Sequence, residues 1–399
     1  QNNFLTMKRF LPLLLFPLLS QSQSVQKLHK KAIVVDSHND IITACIEKNV
    51  RMDQDLRGKT HSDLQRMKEG GLDVQIFSVW CDGAKSAPFQ FANREMDLLD
   101  EVIKSNPDKI ALTRTTAEME QAVKEKKIAA LFGVEGGHMI ENSLEKLDQI
   151  YSRGARYMTL TWNNSTDWAT SAWDETYKKD SLAKTHKGLT DFGREVVKRM
   201  NRLGMMVDLS HVGEQTFWDA IATTSSPVIV SHSNAWSICP VPRNLKDDQI
   251  LAVGKNGGVI ALNFYSGFVD STYKKKEALF QKAHRKEIDS LIASGVQTEY
   301  ALTLITEKYA AEANEARPSL EQLLAHLDHI VRLIGPDHIG IGSDFDGISS
   351  SPKGLDDVTS YPLITDALLK RGFTKKQITN ILGGNIIRVW KSNEAGAGK

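Results

Sequence analysis

Ile33-Val34-Val35-Asp36-Ser37-His38-Asn39-Asp40 is a β-branched apolar run that goes straight into a His-x-Asp pair. On an extended strand, residues i and i+2 point to the same side, so His38 and Asp40 would present an imidazole and a carboxylate together. That pairing can grip a divalent metal at the end of a barrel strand. On its own it could equally be a surface turn. The rest of the chain decides the matter, because the same pattern returns.

Residues 74–80, 128–134, 157–162, 205–210, 227–231, 258–263 and 339–343 are seven further apolar runs of strand length. Helical apolar spacing fills much of the sequence between them. Residues 91–105 halt at Asn106-Pro107, residues 190–204 stop on Gly204, and residues 319–334 lead into the last run. His61-Ser62-Asp63-Leu64 reads as a capped helix start. Strands alternating with helices imply a parallel sheet, and eight such units predict closure into a (β/α)8 TIM barrel. A doubly wound open sheet is the alternative, but no Gly-rich dinucleotide fingerprint follows the first strand. The units average about 44 residues against about 30 in a minimal barrel, so several loops carry helical insertions. The largest lies between strands seven and eight. There, residues 273–308 carry Lys274-Lys275-Lys276 and scattered acids at helical spacing. A solvated helical layer is the plainer reading, and a lid or a dimerisation arm the functional one.

The composition sets limits. Among 399 residues, Lys+Arg 50 balance Asp+Glu 49, and a formal charge of +1 argues against nucleic acid or an anionic membrane surface as the main partner. Residues 7–24 resemble a signal peptide: Met7-Lys8-Arg9, then an apolar stretch 10–19, then small residues suited to cleavage near 22–24. Ten apolar residues are too few to span a bilayer. We therefore read 1–24 as leader and 25–399 as a single catalytic domain, exported to the periplasm or secreted. Cys45, Cys81 and Cys239 fit no zinc-ribbon spacing and read as small buried hydrophobes, with one disulfide left open as an alternative.

The ends of strands one, three, five, six and eight supply His38, Asp40, Glu135, His211, His232 and Asp344. In a (β/α)8 barrel these ends converge on one face. One such histidine is ordinarily a hydrogen-bonded core residue. Three imidazoles and three carboxylates, each where an apolar strand stops, suit two zinc-like ions with one carboxylate shared between them.

These motifs resemble the membrane (renal) dipeptidase family of zinc peptidases, within the amidohydrolase-like barrels. The likeness runs over roughly residues 32–390. It rests on Asp36-Ser37-His38-Asn39-Asp40, Gly133-Val134-Glu135-Gly136-Gly137, Asp208-Leu209-Ser210-His211, Val230-Ser231-His232-Ser233 and Arg243-Asn244. Gly340-Ile341-Gly342-Ser343-Asp344-Phe345-Asp346-Gly347 and Gly383-Gly384-Asn385 match as well. The resemblance implies two Zn2+ per chain. His38, Asp40 and Asp344 would hold one, His211 and His232 the other, and Glu135 would bridge them. Asp344, rather than Asp346, would be the ligand and would handle the proton of a metal-bridging hydroxide. Arg243 matches an anchor for the substrate carboxylate, and Tyr265 a pocket tyrosine. Homodimers are common in the family. One position departs: where mammalian-type enzymes carry a histidine that contacts substrate, this chain has Trp162. His138 reads as a structural neighbour of the site.

The expectation is an exported dinuclear zinc dipeptidase acting on dipeptides with a free C-terminal carboxylate. An N-acyl-amino-acid deacylase or lactonase on the same barrel is the enzymatic alternative. A non-catalytic zinc- or peptide-binding protein is the third reading, disfavoured because a pure binder has no need of two hydrolytic ions.

Overall fold

The computed structural model describes residues 24–178, 187–296 and 298–398. The proposed leader falls almost wholly in residues 1–23, outside the described residues. Nine strands form one sheet: β1 (Val35–Asn39), β2 (Val74–Val79), β3 (Ile110–Leu112), β4 (Ile128–Glu135), β5 (Ala155–Thr159), β6 (Met206–Asp208), β7 (Ile229–Val230), β8 (Val259–Leu262) and β9 (Ile339–Ile341). All pairings between named strands are parallel, in the order β1-β2-β4-β5-β6-β7-β8-β9. The two ends of that path meet. Asp40 N–H donates to the Phe345 carbonyl at 2.8 Å, and Asp344 N–H to the His38 carbonyl at 3.0 Å. The result is a nearly closed (β/α)8 barrel, as the alternation of strands and helices predicts.

β3 is the element the sequence reading lacks. Its three residues pair with Ile128–Ala130 at the start of β4, off the barrel path. Helices fall close to where cap residues place them. Thr190 accepts from Gly193 N–H to start the helix Asp191–Leu203, and Gly204, at φ 77, ends it. Ser319 and Gln322 form a capping box on the helix Leu320–Ile334. Asp63 caps Leu64–Glu69 through Arg66 N–H, as expected.

Strand side chains sort by the two-residue period. Val34 and Phe77 pack under the surrounding helices. Val35, Ile76, Leu131, Tyr157, Ile229 and Val259 form a second buried cluster, joined by Ile386, Val389 and Trp390 of the helix Asn385–Gly396. That helix packs on β6, β8 and β9, so it stoppers the barrel interior away from the strands' carboxyl ends. The insertion lies where expected, between β8 and β9, as the helices Tyr273–Ala283, Arg285–Ala293, Thr298–Lys308 and Ala310–Ala316. Tyr273, Ile288 and Ile305 of these helices are buried. Cys45, Cys81 and Cys239 are buried and unbridged. No helix among the described residues is long and apolar enough to cross a membrane.

Candidate metal centre

Every proposed ligand lies at or just past a strand end, and the barrel brings all six together. Glu135 is the last residue of β4, and its carboxylate is the hub. Its Oε1 lies 2.7 Å from His211 Nε2 and 3.3 Å from His232 Nε2, and its Oε2 lies 3.4 Å from His38 Nε2. His38 Nε2 is also 3.5 Å from Asp40 Oδ2 and 4.0 Å from Asp344 Oδ1. Two groups of three therefore lie within metal-binding reach: His38 with Glu135 and His232, and His38 with Asp40 and Asp344. Asp40 does not sit on the strand. It lies at the N-cap of the helix Ile41–Lys48, and a register irregularity between Asp36 and Asn39 lets both side chains reach one point. Asp346 is turned elsewhere, accepting from His61 N–H at 2.6 Å.

His211 and Asp344 share an unusual backbone. Both adopt left-handed conformations, with φ 65 and 62, which non-glycine residues seldom do. Such strain is held at sites where the surrounding structure fixes it. β6 and β9 each end three residues before these positions, earlier than the apolar pattern suggests.

The imidazoles are oriented from behind. His38 Nδ1 is 2.7 Å from Tyr157 OH, which itself donates to the Ser37 carbonyl at 3.0 Å. With its proton committed, the phenol oxygen must accept from His38 Nδ1–H. His232 Nδ1 is 2.8 Å from Ser231 Oγ, whose proton goes to Asp208 Oδ2 at 2.6 Å. His211 Nδ1 faces Asn163 Oδ1, an acceptor, at 3.1 Å. In each ring the proton belongs on Nδ1, so the Nε2 lone pair points at the centre. This is how metal-binding histidines are held. His38 Nε2 is buried with no hydrogen-bond partner, while the His211 and His232 Nε2 atoms face each other at 3.0 Å. Lone pairs aimed at one another and at carboxylates repel unless a cation lies among them. The residues present fit a metal.

Electrostatics agree. Burial alone would raise the Glu135 carboxyl, but the charge on His38 and the close approach of the His211, His232 and His38 rings hold it well below its usual range. Burial opposes charge on His38 too, yet Tyr157, Glu135 and Asp40 together raise it well above an ordinary histidine. Burial, reinforced by Asp40 and Glu135, holds Asp344 well above the carboxylate range. Burial, followed by the Arg243 charge, pushes His211 down to about 4. The site thus favours a cation at its middle, whether a proton on His38 or a divalent ion.

Several supporting groups escaped the sequence reading. Asp36 Oδ1 accepts from Ser343 N–H at 2.9 Å, and its Oδ2 from Ser343 Oγ at 2.6 Å and Tyr361 OH at 2.5 Å. Asp208 repeats the device on Ser231 N–H and Oγ. Each carboxylate ties its strand end to the neighbouring one, two residues before His38 and three before His211. Gly133 is there for space. A Cβ at that position would lie 2.0 Å from Tyr157 Cζ, in the ring that orients His38. In the sequence, the only signal was the Asp lying just ahead of each His.

The remaining candidates lie around this centre. Arg243 is buried beside it, donating to Ser233 Oγ at 3.3 Å and to the His232 carbonyl at 3.2 Å. Its Nε has no partner, and burial lowers its pKa to about 10. Trp162 lies three residues beyond β5. Its ring is 6.4 Å from that of His211 and 5.0 Å, edge-on, from Trp80, a neighbour the sequence did not single out. Tyr265 packs edge-on against Phe268 at 4.9 Å and Tyr273 at 6.0 Å, which places it at the root of the insertion. His138 is occupied with the Cys81 carbonyl at 3.1 Å.

A (β/α)8 barrel with six inward carboxylates and imidazoles at its strand ends has the architecture of a metal-dependent hydrolase. The chain belongs to the membrane dipeptidase family, peptidase family M19, whose family model matches residues 22–399. It has that family's metallopeptidase fold. It is 32% identical to an uncharacterized dipeptidase of Schizosaccharomyces pombe, over 93% of this chain and 83% of that one. Among solved structures it superimposes on the probable dipeptidase PvdM of Pseudomonas aeruginosa with a TM-score of 0.75 at 21% identity, covering 95% of this chain and 100% of that one. A metallo peptidase of Rhodobacter sphaeroides, solved with a phosphinate mimic of the dipeptide L-Ala-D-Ala, gives 0.71 at 24% identity, covering 91% and 99%.

Proposed function

We propose that this protein is an exported dinuclear zinc dipeptidase. The observation that carries the reading is the convergence of three Nε2 lone pairs with the carboxylates of Asp40, Glu135 and Asp344. His38, Asp40 and Asp344 would hold one ion, His211 and His232 the other, with Glu135 between them. When bound, such ions polarise a scissile carbonyl and bring water to a pKa near neutrality, so no serine or cysteine nucleophile is required.

The chain's own groups do the rest. The Arg243 guanidinium has an unpartnered Nε and, among the described residues, no carboxylate in a salt bridge with it, so it suits a substrate's C-terminal carboxylate. Asp344 Oδ1 faces the centre and can take a proton from the attacking water and return it to the leaving amine. Trp162 and Trp80 form an apolar wall on the β2–β5 side, and Tyr265 supports the rim. The Rhodobacter complex with a dipeptide mimic supports a dipeptide substrate, including a D-residue at its C-terminal position. The signal-like residues 7–24 support export. By family likeness the assembled form is a homodimer.

Metal analysis combined with a substrate panel tests the reading. Close to two zinc ions per chain, with hydrolysis of free dipeptides and little of their C-terminal amides, is expected. Preference for N-acyl amino acids or lactones would overturn the dipeptidase assignment. Secreted material whose N-terminus is Met7 would overturn the leader.

A further inference from the structure

We infer that Asn263 is a positioning residue for Asp344, the last member of an asparagine ladder that ties this carboxylate to the loop carrying Arg243. The inference rests on the reading of Asp344 as a metal ligand. Asn263 is fully buried just past β8, and its Nδ2 donates to Asp344 Oδ2 at 2.7 Å. Its orientation is fixed by chemistry. Tyr265 N–H donates to Asn263 Oδ1 at 2.6 Å, so that atom must be the acceptor and the amide nitrogen must face Asp344. One carboxylate oxygen is thereby held as an acceptor, while Oδ1 is left toward His38 and the centre.

The ladder continues backwards. Asn263 N–H donates to Asn234 Oδ1 at 3.2 Å, and Asn234 Nδ2 donates to the Asn263 carbonyl at 2.9 Å. Asn234 N–H donates in turn to Asn244 Oδ1 at 3.2 Å, next to Arg243. Asn234 and Asn263 are fully buried, and Asn244 nearly so. The Asn263 amide and the Arg243 guanidinium also share the His232 carbonyl, at 3.5 and 3.2 Å. A neutral amide is suited to this task. It holds one oxygen of a left-handed, partly buried aspartate without adding a charge that would compete with the metal for the other. Removing it frees the carboxylate to turn while leaving Arg243 and its contacts in place.

The test compares Asn263→Ala and Asn263→Ser with the unmutated chain, measuring zinc affinity by chelator competition, thermal midpoint, and kcat and KM on one dipeptide. Asn263→Ser keeps a polar group in the niche if the alanine variant fails to fold. The expected result is zinc affinity lower by about 10–100-fold and kcat lowered, with KM within about twofold. Asp344→Ala serves as the reference. If it loses zinc affinity while folded Asn263 variants keep theirs, the positioning role is overturned. If Asp344→Ala itself keeps full zinc affinity, the ligand assignment beneath the proposal is what fails.

Discussion

Glu135 approaches three imidazole nitrogens at once, at 2.7, 3.3 and 3.4 Å, so its charge is common to the whole centre. Glu135→Gln preserves the shape but puts an amide N–H where an acceptor is needed. Metal content and hydrolysis should fall together, which elemental analysis of the purified variant alongside an activity assay checks. Trp162 belongs to the same scale but to a different role. Its ring meets Trp80 edge-on and lies beside His211, an arrangement that serves shape more than hydrogen bonding. Trp162→Phe should keep kcat within about threefold, because the two cations of the proposed centre would outweigh one neutral donor in stabilising an oxyanion. Trp162→Ala should broaden the range of side chains accepted. A hundredfold loss of kcat for Trp162→Phe at unchanged metal content would reassign the indole N–H as catalytic.

Between elements, Asp73 shows how a partly buried group tunes the barrel. Its Oδ2 accepts from Val34 N–H at 2.9 Å, where the chain enters β1, and burial pushes its carboxyl up to about 6. An unfolded aspartate gives up its proton near about 3.9, so between the two values the folded chain binds more protons and stability falls as pH rises. Asp73→Asn keeps the acceptor oxygen without the charge. Its thermal midpoint should exceed that of the parent at about pH 7, and the gap should close as pH drops toward about 4. How far elements were legible in the sequence follows from the range of the forces that make them. Eight strands, the Thr190 and Ser319 caps and the Gly204 stop are written in local periodicity and cap chemistry. The three residues of β3 are too few to show a period. The left-handed turns at His211 and Asp344 carry no glycine to announce them. The six residues that converge were readable because each sits where an apolar run stops. Their supports were not, because Asp36 finds Ser343, and Asp208 finds Ser231, only after the barrel has closed.

For the whole molecule, the centre and the fold stabilise each other. Three carboxylates and three aligned lone pairs in one buried spot repel, so a ligand that neutralises them binds the folded chain and not the unfolded one. Chelation should therefore abolish hydrolysis and also lower the thermal midpoint, and restored zinc should reverse both. A midpoint indifferent to metal would separate the site from stability. The seam where β1 meets β9 has a further meaning. Asp36 and Ser343 are 307 residues apart, and every strand between them must be placed before their bonds can form. Contacts so distant along the chain make for slow folding. Because Asp344 follows β9, the sixth of the converging groups joins the other five only when the last strand docks. Should the chain be threaded across a membrane unfolded, its metal would be acquired on the far side, and the ion found in the purified enzyme would record the compartment in which the last strand docked.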